Sequence, residues 1–120
     1  MFETMRRVPH PDRSDLELTE VLHALGDPVR MAVVRRLAAQ GTLTSCQLHD
    51  GSVSLSTLTH HLRVLREAGI TQTVLAGRER QVSLRREDLE ARFPGVLESV
   101  LAADPRPAPA LADPAAPLGR

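Results

Sequence analysis

V-S-L-S-T-L-T-H-H-L-R-V-L-R-E-A-G-I, residues Val53 to Ile70, decides the fold. Leu55, Leu58, Leu62 and Leu65 recur at intervals of three and four, so on a helix they form one apolar stripe facing a core. A rotation of about 100° per residue sets Ser56, His60 and Arg63 on the opposite face, flanked by Thr57 and Thr59. Ser54 precedes the stripe as an N-cap, and Gly69 follows it where a left-handed C-terminal residue is wanted. The spacing predicts a helix of roughly four turns, with hydroxyls, an imidazole and a guanidinium opposite its apolar side. Such a face suits a duplex groove. Amphipathic helices also carry polar faces simply because water covers them, so periodicity alone leaves a solvated face as the alternative.

The flanking chain narrows that choice. Thr71 to Leu75 and Arg80 to Leu84 are strand-like runs around Ala76-Gly77-Arg78-Glu79, a hairpin turn signal. Upstream, Thr44-Ser45-Cys46-Gln47 fits a capping box, opening a short helix through about His49 that stops at Asp50-Gly51. Residues 44 to 68 therefore read as short helix, tight turn and recognition helix. A basic hairpin after such a unit is the layout of a winged helix-turn-helix.

Charge follows the same division. Formal net charge is zero, and all fifteen basic residues are Arg, a bias that looks like GC-rich coding more than selection at each site. Residues 54 to 86 nevertheless carry Arg63, Arg66, Arg78, Arg80, Arg85 and Arg86 against only Glu67 and Glu79, while both ends of the chain are acidic. Local charge governs attraction to phosphates within a Debye length of about 8–10 Å.

A chain of 120 residues holds one small domain that buries about two thirds of its unfolded surface, which favours association. No apolar run is long enough to span a bilayer, the start lacks the apolar core of a signal peptide, and the single Cys46 forms no internal disulfide. A cytoplasmic protein with no membrane partner is expected.

Residues 1–13 read as a flexible arm, 14–102 as the DNA-binding and dimerisation domain, and 103–120 as a disordered Pro/Ala-rich tail. Ser14 is expected to cap a first helix through about Leu25. Gly26-Asp27-Pro28 ends it and starts a second, to about Ala39, that buries Val29, Val33, Val34 and Leu37. Arg30, Arg35 and Arg36 read as a solvated face. Downstream, Leu89, Phe93, Val96, Leu97, Val100 and Leu101 keep helical spacing across Pro94-Gly95, which predicts a kink or a second helix starting at Pro94. This stripe has its simplest partner in its own copy. We expect a two-fold homodimer through the N- and C-terminal helices, using Leu18, Leu22, Phe93, Leu97, Val100 and Leu101, the alternative being that both terminal helices cap the monomer core. The fold class is thus mostly α with a small two-stranded β wing.

L-H-A-L-G-D-P-V-R (22–30), S-L-S-T-L-T-H-H-L-R-V-L-R-E-A-G-I (54–70) and G-R-E-R-Q-V-S-L (77–84) together resemble the ArsR/SmtB family of bacterial winged helix-turn-helix repressors, over about residues 16 to 102. The resemblance implies a homodimeric one-component repressor that binds double-stranded operator DNA and lets go when an inducer, often a metal ion, binds. Its recognition helix would be 55–67 and its wing 73–84. Ser54, Ser56, Thr57, Thr59, His60 and Arg63 match the family's major-groove face; Arg78 and Arg80 match its wing, which contacts phosphates or the minor groove. The chemistry agrees, since Arg63 can donate two bonds to a guanine edge while hydroxyls near the helix start hold phosphates.

The inducer is less legible. Family members that sense metal before the recognition helix carry a Cys-Val-Cys motif, and here Leu43-Thr44-Ser45-Cys46 keeps one thiol. Cys46 and His49 are three apart and form a soft-metal pair in principle, short of a closed site. A transition-metal inducer, a thiol-reactive inducer at Cys46 and a merely buried Cys46 all stay open, and no cofactor is assigned. Between Arg86 and Ala102 there is no histidine for the family's other metal site. The sequence has no Gly-rich phosphate loop and no nucleophile with an orienting base, so an enzyme is not expected. The functional alternative is a winged-helix dimer acting as a protein-interaction module without DNA binding.

Overall fold

The computed structural model describes residues 5–103. The expected tail beyond Ala103 lies outside the described residues. Element order is β1 (Met5–Arg7), a 3-10 turn (Arg13–Asp15), α1 (Leu18–Leu25), α2 (Pro28–Gln40), β2 (Leu43–Thr44), α3 (Ser45–Leu48), α4 (Leu55–Glu67), β3 (Thr71–Ala76), β4 (Glu79–Leu84), α5 (Arg86–Arg92) and α6 (Val96–Ala102). No helix among the described residues is long and apolar enough to cross a membrane.

Side-chain caps set the N-termini of the three middle helices, α2, α3 and α4. Asp27 accepts the backbone N–H groups of Val29 and Arg30 at 2.9 and 3.0 Å, and Pro28 takes the first position of α2. Partial burial alone would raise the Asp27 carboxyl, but those N–H groups and the charges of His61 and Arg30 hold it below its ordinary value. Thr44 and Gln47 form the reciprocal capping box of α3, at 2.8 and 3.1 Å. Ser54 caps α4 by accepting the Thr57 N–H at 3.1 Å.

The core is a single cluster in which Val34, Leu65 and Ile70 are fully enclosed, joined by Val21, Leu58, Val82 and Leu89. Leu55 departs from the expected stripe, being 56% exposed. It stands on the first turn of α4, ahead of the position where α1 and α2 close over the helix.

Four further expectations are corrected. The first helix begins at Leu18, because Leu16 dives into the core in an extended conformation, 1% exposed. There it meets Gly69, where φ is +87° and an added methyl would overlap the Leu16 side chain. Arg30 is buried, not solvated: its guanidinium donates to Ala24 O at 2.6 Å and His61 Nδ1 at 3.0 Å, filling the C-terminal end of α1. The last helix starts at Val96, since Gly95 adopts φ +82° and ends the turn from α5.

The fourth concerns the sheet. It is antiparallel with four strands in the order β1-β3-β4-β2, larger than a two-stranded wing. Leu43 pairs with Val82, and Arg6 pairs with Leu75, so strands from outside the hairpin flank it on both sides. The arm residues that follow β1 are tied to the domain. Val8 N–H donates to Thr73 O at 3.1 Å, the Thr73 N–H donates to His10 Nε2 at 2.8 Å, and buried Arg85 donates to Pro11 O at 2.8 Å.

Candidate nucleic-acid interface

The polar residues singled out on α4 share one exposed face: Ser54, Ser56, Thr57, Thr59, His60 and Arg63 all lie open to solvent. They are not equivalent. Ser54 donates to Thr57 Oγ1 at 2.9 Å and lies 3.2 Å from Ser56 Oγ, so the first-turn hydroxyls form one network that fixes the start of the helix. Thr59, His60 and Arg63 lie one to two turns further on. His60 is exposed, whereas its neighbour His61 packs inward against Arg30, with the two rings 5.4 Å apart and tilted.

The wing stands beside this face. Gly77 occupies the first of the two turn positions with φ +64°, as a II′ hairpin requires, and Arg78 is exposed at the tip. Arg80, on β4, turns back toward α4. A groove of about 420 Å³ between α3, α4 and the strands is lined by Thr59, Arg63, Arg66 and Arg80 together, over a floor of Leu62 and Val82. Recognition helix and wing therefore converge on one basic cleft.

Arg66 was missed in the sequence reading. It lies in this groove, and its Nε is enclosed without a hydrogen-bond partner, a donor desolvated in advance of any acceptor. The signal was present, since Arg66 is three residues after Arg63 and seven after Thr59, on the same helix face.

Cys46 is exposed at the mouth of the groove, whereas His49 directs Nε2 to Val53 O at 3.0 Å across the turn between α3 and α4. Among the described residues no group of three or more His, Cys, Asp or Glu is placed to hold a metal ion.

The proposed dimer residues divide. Leu18 and Leu22 are 40% and 47% exposed on α1, and Phe93, Val100 and Leu101 are half-buried. Leu97 is enclosed in the chain's own core at 5% exposure, because α6 folds back on α5 and α1.

This arrangement has counterparts. A helix-turn-helix domain family matches residues 25–74. An HTH-type transcriptional regulator of Bacillus subtilis, YceK, is 34% identical over 83 residues, which cover 68% of this chain and 83% of the relative. A crystal structure of an ArsR family transcriptional regulator superposes with a TM-score of 0.59 at 29% identity, covering 68% of this chain and 90% of the other. The chain belongs to the ArsR family of winged helix-turn-helix regulators. Among other solved structures, the transcriptional regulator HlyU of Vibrio vulnificus is similar to this ArsR-family chain with a TM-score of 0.53 at 25% identity, over 68% of it and 84% of HlyU. DNA-binding regulation is thus the function of this ArsR-family protein at the level the family defines.

Proposed function

We propose that this regulator is a homodimeric, sequence-specific repressor that an inducer releases from its operator. The observation that carries the reading is the shared cleft: Arg63 and Arg66 from the recognition helix and Arg80 from the wing face one solvent-open groove. In this reading Arg63 reads a base edge, the first-turn network around Ser54 fixes register, and Arg78 and Arg80 hold phosphates. The exposed Leu18 and Leu22, beside the half-buried apolar residues of α6, support pairing of two copies through their terminal helices. A two-fold dimer would set two recognition helices about one duplex turn apart, roughly 34 Å.

The test is fluorescence anisotropy on a duplex from the gene's own upstream region, with scrambled duplex as competitor and salt varied. Nanomolar binding that resists the competitor and weakens steeply with salt is expected. Affinity no greater than for scrambled DNA, across the flanking regions of the gene, would overturn operator recognition and favour the protein-interaction module.

A further inference from the structure

On the other side of the helix-turn-helix from the basic groove lies a second cavity, of about 230 Å³. Its walls come from Val29, Ala32 and Val33 on α2, Leu48 and Val53 at the two ends of the α3–α4 turn, and Leu58 on α4. These six are aliphatic, and Pro28, His49 and Ser52 complete the lining short of the charged pair at the rim. An apolar cavity of about 150 Å³ is already enough to take up benzene, so this one accommodates a single six-membered ring with a substituent.

The rim specifies the substituent. Arg36 and Asp50 both border the opening, and the Arg36 guanidinium donates one bond, to Gln47 O at 2.9 Å, which leaves further N–H groups available. A carboxylate ligand would meet Asp50, and an ammonium would meet Arg36. A hydroxyl alone suits both, accepting from the guanidinium and donating to the carboxylate.

The cavity also touches two of the parts that hold α4 in place, helix α2 and the α3–α4 turn. Its far wall is the turn itself, braced by the His49 Nε2 contact to Val53 O at 3.0 Å. Val53 directly precedes Ser54, the cap from which the DNA-facing network is built. Coupling to DNA requires that a molecule wedged between α2, this turn and Leu58 bind better to one setting of the recognition helix than to another.

We infer that this cavity is an effector site for a small uncharged aromatic bearing one hydroxyl, and that its occupancy lowers affinity for DNA. The inference rests on the operator-binding reading for its second half only. The first half is tested without DNA, by titrating 4-fluorophenol into the full chain and following the fluorine NMR signal. Saturable broadening and shift are expected, lost in Ala32→Leu and in Val29→Phe, which fill the cavity from two positions on α2. Thermal midpoints close to that of the unsubstituted protein verify that both variants fold. Equal or tighter binding of 4-fluorobenzoate would overturn the uncharged class, and absence of saturable binding would overturn the site.

The second half is read by anisotropy on the operator duplex with and without phenol. Roughly 5- to 150-fold weaker binding is expected, with the operator affinity of Ala32→Leu, whatever its starting value, insensitive to added phenol. Saturable phenol binding with constant operator affinity would remove the regulatory role. Failure of the phenol-free protein to bind any operator would instead defeat the repressor reading, while the fluorine titration would still decide the cavity.

Discussion

On α4 the exposed side chains are mainly hydroxyls, an imidazole and Arg63, with Leu55 open on the first turn, whereas on α1 Leu18 and Leu22 stand exposed beside Thr19, Glu20 and His23, Leu22 at 47%. Both helices lay their buried sides on the same core, through Leu58 and Leu65 in one case and Val21 and Leu25 in the other. They differ in what they leave open. Apart from Leu55, the exposed side of α4 is polar and needs no apolar partner, so its chemistry suits a ligand that is charged and transient. The α1 face keeps two large leucines partly wet, at 40% and 47% exposure, and burying what remains of each would contribute about 0.6–1.4 kcal/mol. In the proposed function, the contrast separates a surface that recognises from one that assembles.

Substitutions can break that separation. Leu97→Asp, inside the core, is expected to have the largest effect, unfolding the domain with a loss above about 4 kcal/mol, read by thermal or urea denaturation. A folded Leu97→Asp monomer would move Leu97 to the assembling surface. The pair Leu18→Asp and Leu22→Asp should leave the fold intact and yield monomers in sedimentation, with operator affinity lower by roughly 10²- to 10⁴-fold as the second half-site is lost. Dimers that persist would place assembly elsewhere.

Arg63→Ala should cost about 1–3 kcal/mol on operator and little on random DNA, while Arg78→Ala should weaken all duplexes alike and reduce the salt slope by about 0.9. Equal losses on both duplexes for Arg63→Ala would reassign it to the phosphate backbone.

The smallest effect is at Asp88, which accepts from Arg13 Nε at 2.7 Å and Arg85 Nε at 2.9 Å. The hydrogen bond from Arg13 lowers its pKa most; partial burial opposes this, and Arg85 adds to it. Because the folded carboxyl titrates below its usual value near 3.8, its contribution is complete above that pH and is lost as pH falls through the folded value. Asp88→Asn should therefore lower the melting temperature at neutral pH, and the difference from the unsubstituted protein should vanish in strong acid.

The recognition helix was legible because its signals agree: periodic leucines, Ser54 before them and Gly69 after. Its bounds, 55–67, match the expectation. Leu55 was misplaced because periodicity gives a direction around the helix axis but not whether another element covers that height. Arg30 was misread for a similar reason. Arginine is solvated by default, and only the tertiary approach of α1's last carbonyls gives this one a buried role. Strand β1 is three residues long with no alternation to detect, so its pairing depends wholly on β3. The cleft residues on α4 were readable from the wheel, whereas the convergence of Arg66 with Arg80 is a distance between helix and wing that no local pattern encodes.

The order β1-β3-β4-β2 has an entropic side. An isolated two-stranded hairpin is only marginally stable in water, and a wing of that kind would reach the duplex as an ensemble of shapes. Here each strand of the hairpin already has an outer neighbour, so the tip carrying Arg78 is held in place before any phosphate arrives. Less conformational entropy is left to lose on association. Strand β1 thus acts as a preorganising brace, and in the proposed function part of the affinity for DNA is stored in a strand that need not touch it.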